Sequence, residues 1–150
     1  MPISDFADKM TKIMPVLIKE FSRRNVGELY KDKVTMPQFF ILNFLNQEDE
    51  STMTDMAKFM DVTTAAMTGI VDRLVKYGYV LRLSDPDDRR VIKIKATAKG
   101  EDLVKKINKQ RRQMIMEIFS TISQREREDY LRILTRIYSM LTGAKEGNAN

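Results

Sequence analysis

Residues 52–96 read TMTDMAKFMDVTTAAMTGIVDRLVKYGYVLRLSDPDDRRVIKIKA, and a change of period inside this stretch decides the fold. Up to Gly78 the apolar residues recur at helical spacing; beyond it they alternate. Thr52 and Asp55 form a capping arrangement ahead of the stripe Met53, Met56, Ala57 and Met60, which predicts a short helix. Asp61, Val62 and Thr63 make a turn. A second helix is predicted over residues 63–77, with Ala66, Met67, Ile70, Leu74 and Tyr77 on a common inward side and Gly78 where a left-handed C-cap belongs. Next, Tyr79, Leu81 and Leu83 point one way, and Asp85-Pro86-Asp87-Asp88 turns the chain. Ile92, Ile94 and Ala96 then alternate with Val91, Lys93 and Lys95. The expectation is a two-stranded hairpin.

Short helix, turn, second helix and hairpin is the order of a winged helix-turn-helix, whose second helix enters the major groove of duplex DNA. At about 100° per residue, the outward face of that helix would carry Thr64, Ala65, Thr68, Gly69, Asp72 and Lys76, with Thr63 at its start and Arg73 at the edge. Short residues near the N-terminus let the backbone approach base edges. The hydroxyls of Thr64 and Thr68 can donate or accept there, and a thymine methyl could rest on Ala65. Arg73 and Lys76, further along, suit phosphates. A merely solvated helix would more often show Glu, Lys and Gln on that side.

Arg89 and Arg90 follow the acidic turn, so a rigid hairpin would project their guanidinium groups toward a narrow minor groove, with Asp88 holding the Arg90 side chain. Asp87 and Asp88 could be taken for a catalytic acid–base pair, but turn chemistry accounts for both.

Helices are expected on either side of this module. Phe6, Met10, Ile13, Leu17 and Phe21 recur at spacings of three and four over residues 4–24, with a kink expected at Pro15 and a weaker pattern around Asn25 and Gly27. Thr35-Met36-Pro37-Gln38 combines a capping hydroxyl, an early proline and a capping-box glutamine, and opens a helix facing inward through Phe39, Leu42 and Leu45. The polar run at 47–51 breaks it. From Thr97 a helix runs through Leu103, Ile107, Met114, Ile118 and Phe119 to about residue 121. Ser123-Gln124-Arg125-Glu126 is a capping box for a last helix with Tyr130, Ile133, Leu134, Ile137, Tyr138 and Leu141, ending near Gly143.

The fold class expected is therefore mainly α: a winged helix-turn-helix with N- and C-terminal dimerisation helices. Residues 1–34 would form the N-terminal dimerisation helix, 35–96 the DNA-binding module, 97–143 the C-terminal dimerisation helices and 144–150 a disordered tail. The terminal helices carry more apolar surface than a compact reading module needs, and a two-fold homodimer would bury it. Paired modules about 34 Å apart would read a palindrome.

Composition narrows the chemistry. The 150 residues contain neither cysteine nor histidine, which removes disulfides, thiolate metal sites and the Ser-His and Cys-His nucleophile arrangements. No cofactor is expected, and the reading is not an enzyme, although a carboxylate-only site is not removed by composition. The formal charge is +5, and residues 72–112 hold 13 Lys and Arg against 6 Asp and Glu, an excess suited to a polyanion as well as to a solvated basic face. Eleven methionines, four of them at Met53, Met56, Met60 and Met67, read as adaptable core rather than a metal or ligand site. No run approaches the roughly 18 apolar residues of a membrane span, and the opening MPISDFADKM has no signal-peptide pattern, so a cytoplasmic location is expected.

Residues 53–100, above all IVDRLVKYGYVLRLSDPDDRRVIKIKATAKG at 70–100, resemble the MarR family of regulators. The aspartate-proline turn, Asp-Arg-Arg, the alternating apolar residues and Thr-x-x-Gly carry the resemblance, with Ala96 in place of the usual leucine. It implies Arg90 as the minor-groove arginine with Asp88 its orienting partner, and Thr64, Ala65, Thr68 and Arg73 on the major-groove helix. It also implies a branch that answers to a small aromatic or phenolic acid bound between the dimer helices and the reading module, near Phe39, Phe40 and Phe44. Without cysteine, thiol-based peroxide sensing is ruled out. The competing reading is a winged-helix module that uses its hairpin to contact an acidic protein partner.

Overall fold

The computed structural model describes residues 1–31 and 34–143, with the backbone alone at 25–31. The tail expected to be disordered at 144–150 lies outside them. The described elements run α1 (Ile3–Lys31), α2 (Met36–Glu48), β1 (Glu50–Thr52), α3 (Met53–Phe59), α4 (Thr64–Lys76), β2 (Val80–Ser84), β3 (Ile92–Ala96), α5 (Ala98–Phe119) and α6 (Gln124–Thr142). This is the mainly helical winged helix-turn-helix, flanked by N- and C-terminal helices, that the sequence predicts. The chain divides into two compact units, Met1–Arg111 and Arg112–Asn150.

Local chemistry explains where these elements begin and end. Thr35 caps α2 in a full capping box with Gln38, and the proline sits in the first turn as expected. Helix α1 runs unbroken through Pro15 to Lys31, longer than the apolar pattern that fades after residue 24. Asp61, at φ 51°, takes the left-handed position after α3, while the amides of Asp61 and Val62 donate to the carbonyls of Lys58 and Ala57. Gly78, at φ 75°, does the same after α4, with Gly78 and Tyr79 donating to Val75 and Leu74. Both are Schellman endings, and they set the turn of the helix-turn-helix and the exit into the hairpin.

The sheet has three antiparallel strands in the order β1-β3-β2. Strand β1 falls in the polar run that reads only as a helix break, because three residues are too few to show a period. Its register sets Glu50 opposite Lys95 and Thr52 opposite Lys93, and Val80 of β2 pairs with Ala96. The core gathers Leu42 of α2, Met56 of α3, Met67 and Leu74 of α4, Ile94 of β3 and Val104 of α5, all essentially inaccessible. Leu81 and Leu83, expected to point the same way as Tyr79, are exposed although Tyr79 is buried, and Ile92 is exposed as well. Register gives the reason for the leucines: they lie on the sheet face shared with Lys93 and Lys95, while Val80 and Ile94 take the core face.

The Thr-x-x-Gly sequence at 97–100 joins sheet to helix. The Thr97 hydroxyl accepts from the amide of Gly100 at 3.2 Å and donates to the carbonyl of Gly78 at 2.6 Å. A β-carbon at Gly100 would run into the carbonyl of Tyr79, so the close approach of α5 to the hairpin requires glycine. In the second unit, Ser123 and Glu126 form the expected capping box and Gly143, at φ 67°, ends α6. Helix α6 buries none of its residues, and Leu131, Tyr138 and Met140 stand exposed.

Candidate nucleic-acid interface

Helix α4 presents its inward face through Met67, Val71 and Leu74, none of them measurably exposed, with Ile70 and Val75 packed at the margins. The stripe is turned slightly from the expected one. Val71 joins the core, whereas Ala66 and Tyr77, predicted to face inward, are exposed. Apolar residues flank both sides of this stripe, so period alone leaves its rotation loose and packing against α2 and the sheet decides it.

The opposite face is then Ala65, Gly69, Asp72 and Lys76, with Arg73 to one side, all exposed, and Thr68 half-buried on the other. Thr63 is the N-cap, its hydroxyl oxygen accepting from the amide of Ala66 at 3.1 Å, and exposed Thr64 follows in the first turn. Thr68 donates its hydroxyl proton to the carbonyl of Thr64 at 2.9 Å, so its free capacity is that of an acceptor. Gly69 has open space where a β-carbon would stand. A glycine in mid-helix costs about 1 kcal/mol relative to alanine, and nothing inside the protein requires it. Its lack of a side chain leaves the middle of this face open to close approach from outside.

Asp72 is not a free acid on that face. It pairs with Arg82 of β2, which ties α4 to the hairpin and cancels a negative charge where a polyanion would approach. Sequence spacing gives no hint of this pair, since it bridges two elements. By contrast, Arg73, Lys76, Arg89 and Arg90 make no ion pair among the described residues.

The hairpin loop is built on aspartates. The Asp85 carboxylate accepts from the amides of Asp87 and Asp88 at 2.8 and 3.4 Å, and the Asp85 amide donates to the carbonyl of Val91 at 2.9 Å. Asp88 accepts from the backbone amide of Arg90 at 2.9 Å. The sequence suggests that Asp88 holds the Arg90 side chain; it holds the backbone instead, which leaves both guanidinium groups exposed and available. The Asp87 and Asp88 amide bonds, and the Lys93 ammonium 3.1 Å away, keep the Asp85 carboxyl below the usual aspartate range. The amide of Asp87 is the leading cause. Lys93 is raised in turn, first by Glu50 and then by Asp85.

Of the three phenylalanines expected near a ligand hinge, Phe39 is core, with the Arg111 guanidinium 5.0 Å over its ring, and Phe44 stacks on Phe59 at 4.3 Å. Phe40 alone of the three is exposed. Among the described residues no group of three or more metal-ligating side chains is arranged to hold an ion, and no helix is long and apolar enough to cross a membrane.

Known proteins share this fold. Residues 34–92 match the sequence model of the MarR family. The chain is 26% identical over 142 residues to the HTH-type transcriptional repressor YetL of Bacillus subtilis, covering 95% of this chain and 80% of the relative. Among solved structures it is similar to a MepR-like protein complexed with pseudoligands, at 33% identity and a TM-score of 0.60, covering 92% of this chain and 97% of the other. A mutant of S. aureus MepR bound to an oligodeoxyribonucleotide shares the fold at a TM-score of 0.67 and 22% identity, covering 88% and 97%.

Proposed function

This chain belongs to the MarR family of helix-turn-helix transcriptional regulators, and from that premise we propose that it acts as a homodimeric repressor on a palindromic DNA operator. One observation carries the reading: four cations without ion pairs among the described residues, Arg73, Lys76, Arg89 and Arg90, accompany a helix face cleared of bulk at Ala65 and Gly69. Thr63, Thr64, Ala65, Thr68 and Gly69 would meet the floor of the major groove, where short side chains admit the backbone and a threonine oxygen accepts from a base amine. Arg73 and Lys76 would neutralise phosphates at its rim. Arg89 and Arg90, their loop fixed by Asp85 and Asp88, would reach the adjacent minor groove.

The exposed apolar side chains of α1, such as Ile13 and Ile18, and those of α6 support assembly, because two copies of the chain would cover them by symmetry. In that assembly residues 1–34 and 97–143 are the dimerisation helices and 35–96 the reading module. Support for repression comes from YetL, a transcriptional repressor, and support for DNA as the ligand comes from the MepR mutant bound to an oligodeoxyribonucleotide. Pseudoligands on the MepR-like relative support a small-molecule site, and the exposed ring of Phe40 suits an aromatic acid as the releasing ligand. A regulator of this kind works in the cytoplasm, with no cofactor and no catalytic step.

The test is selection of duplexes from a random pool by the full chain, followed by anisotropy at two salt concentrations. The reading predicts enrichment of a palindrome and binding that weakens steeply with salt. Equal retention of all sequences would point instead to the protein-contact alternative. Adding aromatic acids to the selected complex should release the DNA, and no shift with any of them would remove the ligand from the account.

A further inference from the structure

The wing beyond its base buries nothing: every residue from 81 to 92 is exposed or half-buried. Apolar packing therefore cannot set where Arg89 and Arg90 stand, and the task falls to the ladder and to polar contacts. One side chain gathers those contacts from separate parts of the module. The Lys93 ammonium on β3 lies 2.7 Å from the Glu50 carboxylate on β1 and 3.1 Å from the Asp85 carboxylate at the root of the arginine loop.

Each partner is anchored elsewhere. Glu50 precedes Thr52, the cap of α3, so it is continuous with the helix-turn-helix. Asp85 uses its other oxygen on the amides of Asp87 and Asp88, which lead directly to the arginines. The ammonium thus couples the edge strand beside the reading helices to the turn that presents the guanidinium groups. Two carboxylates already share its charge, which leaves it a poor phosphate ligand. Without it, those two acids would stand uncompensated beside a loop that must approach a polyanion.

We propose that Lys93, clamped between Glu50 and Asp85, is a positioning residue for DNA binding that sets the stance of the Arg89 and Arg90 loop without contacting phosphate. This rests on the DNA-binding reading above.

The test uses the full chain on a duplex that the unsubstituted protein selects from a random pool, with anisotropy at several salt concentrations and amide hydrogen exchange on the free protein. Lys93→Met and Glu50→Gln should each weaken binding about two- to fivefold, the scale of a partly exposed ion pair. The double variant should be no weaker than Lys93→Met alone, because Lys93→Met already removes the contact that Glu50→Gln removes. Lys93→Arg should retain binding, since a guanidinium can span both acids. Amides of Arg90 and Val91 should exchange faster in Lys93→Met and Glu50→Gln, while thermal unfolding stays close to that of the unsubstituted protein.

The sign for Glu50→Gln separates the roles: removing a negative charge near DNA would by itself tighten binding. Equal or tighter binding by Glu50→Gln, or unchanged exchange in the wing, would overturn the proposal. So would a salt dependence for Lys93→Met flatter than that of Glu50→Gln by about one counterion, which would make Lys93 a phosphate contact. If the unsubstituted protein selects no duplex, the DNA-binding reading falls and takes this inference with it; the other outcomes sink the inference alone.

Discussion

Helix α4 rests on Met67, Val71 and Leu74, all fully buried, whereas the wing beyond Val80 and Ile94 buries nothing and is shaped by a ladder, two aspartate-centred turns and a bridging lysine. The two elements belong to one proposed interface but are placed by different forces. Burial of a large apolar side chain contributes about 1.5–3 kcal/mol, so three of them fix the depth and rotation of the helix. A hydrogen bond or exposed ion pair contributes about 1 kcal/mol or less, so the wing is ordered but compliant. The helix can carry sequence reading, which needs a fixed register, while the wing can follow a groove whose width varies with sequence.

Truncation is the hardest blow to that contrast. Leu74→Ala should cost about 2–5 kcal/mol of stability in urea unfolding, and Leu83→Ala less than about 1 kcal/mol. Similar losses would mean that the wing is packed after all. Next in size is Arg90→Ala, which should lower duplex affinity about tenfold, or about 1.4 kcal/mol, with slightly flatter salt dependence and an unchanged unfolding midpoint. A fall in stability alongside affinity would make Arg90 a structural residue.

Gly69→Ala sharpens the comparison because its two effects oppose each other. The fold should gain about 0.5–1 kcal/mol from better helix propensity, with open space for the methyl group, while duplex affinity falls. A gain in stability with unchanged affinity would show that no partner closely approaches this face.

The smallest effect concerns pH. Asp85 is lowered on folding, so its contribution to wing order is complete above its unfolded value and is lost only as pH falls through the depressed folded value. Lys93 is raised, so its contribution is complete below its unfolded value and is lost as pH rises through the elevated one. The chain has no histidine to titrate between them. Amide exchange in the wing, corrected for its intrinsic pH dependence, should stay flat from about pH 5 to about pH 9. A transition inside that window would require a group other than these two.

The same contrast governs how much the residues disclose. Strong local signals are legible: the boxes at Thr35 and Ser123, the cap at Thr52, the glycine after α4 and the aspartate-proline turn all act within a few residues. The order helix, turn, helix, hairpin follows from them. What is not legible is tertiary. Strand β1 exists only through pairing with β3, and the rotation of α4 that buries Val71 and exposes Ala66 depends on what lies beneath it. In the site, residue types suggest Arg89 and Arg90, but the pairing of Asp72 with Arg82 and of Lys93 with Glu50 spans separate elements. Asp88 reads as a partner of the Arg90 side chain rather than of its backbone because a side-chain pair and an aspartate turn look identical in one dimension.

Hydroxyl-radical footprinting of a selected duplex, with the unsubstituted chain and with Arg90→Ala in parallel, tests most directly whether helix and wing engage neighbouring grooves together. The account predicts two protected segments centred about 10 base pairs apart or a multiple of that, each flanked by minor-groove protection that the Arg90→Ala protein loses. A flank that stays protected without the arginine, or one continuous unpaired footprint, would contradict it.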